Sequence, residues 1–551
     1  MPRCVPFLLL LALAGSAVAR PLEPPRPNEK WLTLRVDEFT LVSNVSPAET
    51  SAIARDLLRM RHAIGEVTNL NVRSPKPTSI FIFGTERAFA PYREAVIGQK
   101  SETVRGAYTR SDGGNFIVMI CESDCEVDRT IDHELTHYFV RNTTSALPLW
   151  LSEGIAEYYS TFRTSGDAVH IGRSIPEHVQ WLRQQTLIPL RELFATTADS
   201  LLYDEGSRSG VFYAQSWALF HYLMADDGRR AQLSRYLRNL GEDQPADNAF
   251  AAAFGKTYSD LEQEVRAYVR RTAFTYTRYT LPPATLPEIP KPVPMPRDAL
   301  LFELGHLLAH AAPDSAADAR RFLDEVVAAD ASHAGAHADI GRLQFLAGRR
   351  EEANESFARA VALGSSDPQV YLLVGISALN AVTGTNAEPG PPGELRLRAR
   401  KAFERSAELD PEAAVAWTGI GATYISTDED PAPGVAALER ALALAPGDAD
   451  AAFYLVQLYA RSGRRAEAQE LIDTVLSRGA EPEQLAFARE ALRRAGVNAN
   501  IQVVNEAIAR ANAGKTAEAL AILDGLLPQI EDAEMLSTVK KLRADLARPR
   551  G

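Results

Sequence analysis

The chain has 551 residues and a net charge of −12, with 46% hydrophobic and 24% charged residues. That is too long for one domain and too apolar for a disordered chain. The acidic balance excludes nucleic acid as the main partner, because phosphate binding requires a basic excess. Three cysteines are too few for a disulfide scaffold or a cysteine-rich zinc module.

Met1–Arg20 has a short positive start at Arg3, an apolar core Val5–Ala14 and the small-x-small triplet Ala17-Val18-Ala19. This is the pattern of a secretory signal peptide over residues 1–19, cut after Ala19, and it predicts a secreted or periplasmic protein. No later stretch approaches the ~18 apolar residues of a membrane span, so no integral span is expected after cleavage. Cleavage removes Cys4 and leaves Cys121 and Cys125. In an oxidising compartment these two can form a disulfide, remain buried thiols or ligate a metal.

Trp31–Asn44 alternates and predicts a strand or hairpin. Ser46 followed by Glu49 is a capping-box signature that opens a helix running to Val67. Thr78–Phe83 and Asn115–Ile120 are short apolar strands, the second entered through the turn Asp112-Gly113-Gly114. Asp128–Val140, Trp150–Thr161, Tyr213–Ala225 and Ser259–Arg271 have helical periodicity. Leu281–Arg297 then holds seven prolines and predicts a semi-rigid linker.

Beyond it, His337-x-x-Ile340-Gly341 recurs as Tyr371-x-x-Val374-Gly375, 34 residues on, and as Trp417-x-x-Ile420-Gly421-x-x-Tyr424. Ala353-x-x-x-Phe357-x-x-Ala360 and Ala468-x-x-x-Ile472-x-x-Val475 mark partner helices. These positions resemble the tetratricopeptide repeat, whose small residues let paired helices cross closely. The resemblance implies a stacked solenoid with a concave face for peptides or protein segments.

His133-Glu134-Leu135-Thr136-His137 is the HExxH pattern. Residues four apart share a helical face, so both imidazoles can reach one zinc ion and Glu134 can address a water molecule there. Trp150-Leu151-Ser152-Glu153-Gly154-Ile155-Ala156-Glu157 follows, with fifteen residues between His137 and Glu153. Together these segments resemble the gluzincin metallopeptidases, in particular the compact peptidase MA-like proteins of bacterial envelopes.

The resemblance implies one Zn2+ per chain, with Glu153 as its third protein ligand, Glu134 as general base and Glu157 as hydrogen-bond partner of a ligand histidine. Glu153 is closer to His137 than the third ligand of those enzymes, and Glu157 falls at their spacing. The two are one turn apart, so either can face the metal; the surrounding Trp-Leu-Ser-Glu-Gly word favours Glu153. Tyr213-Ala214-Gln215-Ser216-Trp217-Ala218 is similar to the segment of zinc aminopeptidases whose tyrosine stabilises the oxyanion, which implies that role for Tyr213. His221 and Tyr222 read as structural. The strand Asn115–Ile120 is expected near the site, where gluzincins use an edge strand to pair with substrate.

The fold class expected is therefore multidomain: an α+β gluzincin-like metallopeptidase domain over 28–278, a linker over 279–297, and an all-α tetratricopeptide-repeat solenoid over 298–547. The function implied is hydrolysis of peptide or protein substrate, with protein partners held on the solenoid. The competing expectation is a non-catalytic cell-envelope adaptor, in which the repeats bind partners and the peptidase-like domain is a scaffold.

Overall fold

A computed structural model of the chain describes residues 21–98, 104–122, 129–144, 147–165, 168–197, 206–241, 244–281, 286–383, 392–530 and 532–548. The expected leader and Cys125 lie outside the described residues; Cys121 is disulfide-bonded. The chain forms two compact units, Met1–Ala331 and Ser332–Gly551. Among the described residues no helix is long and apolar enough to cross a membrane.

The first unit is built on a six-stranded mixed sheet. Strands β1 (Leu32–Val36) and β2 (Phe39–Ser43) form an antiparallel hairpin whose turn places Asp37 at a φ of 53°. Helix α1 (Pro47–Val67) carries the chain to β3 (Thr78–Phe83), parallel to β2. Ser46 Oγ accepts from the Glu49 main-chain N–H while the Glu49 carboxylate accepts from that of Ser46, so the expected capping box closes. After α2 (Glu86–Ile97) come β4 (Gly106–Arg110) and β5 (Asn115–Ile120), antiparallel to each other. The strand order is β4-β5-β3-β2-β1-β9, with β9 the pair Val293–Pro294.

Both faces of this sheet are covered. Leu34, Leu41, Ile80, Ile82, Ile117 and Met119 join Ile53 and Leu57 of α1 and Leu135 and Phe139 of α3 (Thr130–Thr143) in one core. Phe81, Phe83, Phe116 and Val118 alternate to the other side and are equally buried. Double coverage is why β5 reads as an unbroken apolar run. It also corrects one expectation: β5 lies inside the sheet, and the edge strand packed on α3 is β4. Gly106 makes this approach possible, since a Cβ there would lie 2.5 Å from Thr130 Cγ2 and 3.2 Å from Glu134 Cγ.

Helix α4 (Leu149–Tyr159) leads into a small sheet, β6 (Arg163–Ser165), β7 (Ala168–Ile171) and β8 (Thr277–Thr280). Helices α5 (Pro176–Gln184), α6 (Leu190–Ala195), α7 (Gly206–Met224), α8 (Asp227–Gly241), α9 (Ala246–Phe254) and α10 (Tyr258–Val269) complete the helical half. The expected linker is partly built into this unit: β8 pairs with β7, and Val293 and Pro294 pair with Thr33 and Leu32. Proline is tolerated there because β9 is a two-residue strand at the sheet edge.

The unit also extends beyond the expected boundary, through α11 (Arg297–Ala311) and α12 (Ala316–Ala329). Leu300, Leu301, Leu304, Leu307 and Leu308 of α11 are all buried, more of its circumference than one helical partner covers. The His306 ring of α11 lies 5.5 Å from that of Phe116, and Arg297 donates to the Pro25 carbonyl.

The second unit is helical hairpins. In α13 (Ala334–Leu346) and α14 (Arg350–Ala362), a Cβ on Gly341 would lie 2.6 Å from the Phe357 ring. Gly375 and Gly419 stand in the same relation to Phe403. Ala353, Phe357 and Ala360 are fully buried, as are Ala468 and Ile472. Towards the end a single helix, Pro482–Asn512, departs from the hairpin period and contributes Ala488 and Leu492 to one core and Ala507 and Ala511 to the next.

Candidate functional site

Helix α3 presents His133 and His137 one turn apart, their rings at 76° with centroids 4.8 Å apart. Helix α4 packs against it and brings Glu153 to both. Glu153 Oε2 lies 3.3 Å from His133 Nε2 and 3.4 Å from His137 Nε2, and the two nitrogens are 3.1 Å apart. Four donors about 2.0–2.2 Å from a tetrahedral zinc are about 3.3–3.6 Å from one another. The three atoms therefore match three corners of a zinc site. Glu153 Oε2 is moreover buried without a hydrogen-bond partner, which a protein tolerates poorly unless a cation takes that place. The residues fit zinc.

Charge supports the same reading. Burial opposes ionisation of Glu153, but His137 and His133 outweigh it and hold the carboxyl down at about 2. Burial opposes charge on His133, yet the adjoining Glu153 carboxylate and the charges of Glu157 and Glu134 raise it to about 9. A buried cluster with three carboxylates around two imidazoles attracts positive charge, whether proton or metal. Glu134, one residue after His133, is buried as well. Burial raises its carboxyl above the ordinary range, against the pull of His133 and His137 and a hydrogen bond with the Tyr108 main chain of β4. A carboxyl raised in this way is better suited to hold and return a proton than an ordinary one.

Glu157 faces the other nitrogen of His133, with Oε1 3.6 Å from Nδ1. The geometry thus groups Glu153 with the two Nε2 atoms and puts Glu157 behind one ring. Ser152 Oγ lies 3.2 Å from His137 Nδ1. Ser152 also lines a cavity of about 410 Å³ walled by Val140, Leu147, Leu149 and Phe194.

Tyr213 of α7 reaches the same place, its ring centroid 6.4 Å from that of His133. Gly154 decides this approach: a Cβ there would lie 2.6 Å from the Ser216 carbonyl oxygen and 2.9 Å from Phe220 Cβ. His221, by contrast, serves the fold. Its Nε2 donates to the Gly172 carbonyl at 2.8 Å and its Nδ1 accepts from the Tyr268 hydroxyl at 2.7 Å.

Two residues near the site escaped the sequence reading. Arg129, just before α3, and His178 on α5 both approach Glu157 at 3.1 Å. Neither has a spacing or motif that ties it to HExxH. Ser152 was readable only as a letter of the Trp-Leu-Ser-Glu-Gly word.

Residues 61–271 match the family model of the Peptidase MA superfamily, and residues 427–492 match that of the tetratricopeptide repeat. The chain thus carries a Peptidase MA-like domain followed by tetratricopeptide repeats. Similar solved structures include YrrB, described as a TPR protein with an unusual peptide-binding site, at 18% identity over 35% of this chain and 91% of that one, TM-score 0.29. They also include PilF of Pseudomonas aeruginosa, at 15% identity over 45% and 97%, TM-score 0.27. A tetratricopeptide repeat protein from Parabacteroides merdae matches at 11% identity over 58% and 100%, TM-score 0.25. No curated protein matches the chain significantly.

Proposed function

We propose that this chain is a secreted or periplasmic zinc metallopeptidase whose repeats bind a protein or peptide partner. The observation that carries the reading is the convergence of His133 Nε2, His137 Nε2 and Glu153 Oε2 on one point, with Glu134 beside them on the same helix. These three residues would hold one Zn2+, leaving a fourth position open. Zinc bound there supplies Lewis-acid polarisation of a water molecule and of a scissile carbonyl.

The remaining work falls to side chains. Glu134 accepts the proton of the attacking water and returns it to the leaving amine. Tyr213 donates a hydrogen bond to the oxygen on which charge develops. Strand β4 ends the sheet beside α3, so an extended peptide can pair with its outer edge and lie across the site.

The test is Glu134→Gln, which preserves size and removes the base. Zinc content should stay at wild-type level while peptide hydrolysis falls by about 10²–10⁴-fold. Comparing proteins cleaved by wild type and by this variant would identify the substrate. Equal activity in the two would refute the assignment.

A further inference from the structure

We propose that His178, with Arg129, is a positioning residue of the metal site, clamping Glu157 so that one carboxylate oxygen addresses His133. The inference rests on the zinc reading and concerns what holds the ligand in place. When Nε2 of an imidazole gives its lone pair to a cation, the ring proton must sit on Nδ1, and a carboxylate facing Nδ1 fixes that tautomer. Glu157 faces it with Oε1 only because Oε2 is engaged elsewhere. His178 Nε2 and Arg129 Nη1 each lie 3.1 Å from Oε2.

The clamp is itself braced. Arg129 also donates to Ser160 Oγ, and Ser160 donates back to the Glu157 carbonyl. The His178 ring packs at 5.9 Å against that of fully buried Trp217 on α7. Glu157 of α4 thus meets His178 of α5 at its carboxylate, and Trp217 of α7 backs that histidine. His178 meets Glu157, and Glu157 faces His133, so the effect of His178 on metal passes through that carboxylate.

The experiment measures zinc affinity of the full chain by chelator competition for wild type, His178→Ala and His178→Gln, with the metal-free thermal midpoint of each. Glutamine places an amide N–H near the position of Nε2. Loss of the clamp in His178→Ala should weaken zinc binding by about 10–100-fold. His178→Gln should recover most of it, with metal-free midpoints of the two variants alike. Wild-type zinc affinity in His178→Ala would overturn the proposal. So would equal weakening in both variants in step with their midpoints, since that marks a merely structural histidine. A wild-type chain that takes up no zinc would overturn the metal reading and this inference with it.

Discussion

Glu153 and Glu157 sit one turn apart on α4, carry the same functional group and are both buried, yet they face opposite nitrogens of His133. Their substitutions should therefore differ in kind. Glu153→Ala removes a donor and should abolish zinc uptake, whereas Glu157→Ala should weaken it by about 10–100-fold; the reverse order in a metal assay would exchange the roles. His221 allows a separate test. Burial holds it below its ordinary value, so the native chain binds fewer protons than the unfolded chain as pH drops below about 6.5. Its contribution is present above that pH and is lost as pH falls through the lowered native value. The thermal midpoint should fall from about pH 7 to about pH 5, and His221→Asn should lower the midpoint at neutral pH but flatten the slope. Parallel slopes in the two proteins would remove His221 as the source.

At the scale of elements, the site depends on how closely α4 meets α7. The Cβ of Gly154→Ala would meet main chain at Ser216, which cannot swing aside as a side-chain tip can. Overpacking of this kind costs about 1–3 kcal/mol. All three proposed metal donors lie on α3 and α4, while Tyr213 rides on α7. We therefore expect Gly154→Ala to lower the thermal midpoint and reduce hydrolysis more than zinc content, measured on the same preparation. The element scale is also where local sequence is most legible. The Ser46–Glu49 capping box is closed by atoms within four residues, so its letters suffice to place the start of α1. The clamp of His178 on Glu157 joins α5 to α4, and no short-range signal announces it.

For the whole molecule, the consequential feature is the extent of the first unit. Helices α11 and α12 belong to it, although the proline run before them reads as a boundary. A chain ending at Ala331 should remain soluble and unfold cooperatively. One ending at Pro296 loses α11, which lies against Phe116, and with it part of the cover of that side of the sheet. Each large side chain so uncovered forfeits about 1.5–3 kcal/mol. Size-exclusion chromatography and thermal unfolding of the two truncations would decide, and equal behaviour would place the boundary back at the prolines.

Sequence by itself determined whatever is written in periodicity over a few residues. His133 and His137 share a helix face because of the 3.6-residue turn, and Gly341 and Phe357 meet because small and large residues recur at the repeat period. Tertiary structure decided what depends on distant segments meeting. It selected Glu153 over Glu157 to face both Nε2 atoms, gave the site β4 rather than β5, drew Arg129 and His178 to Glu157, and enclosed α11 in the first unit. The physical reason is common to all four. A side chain's direction and a strand's place in a sheet are set by the packing of both faces, and the residues that supply that packing lie far along the chain.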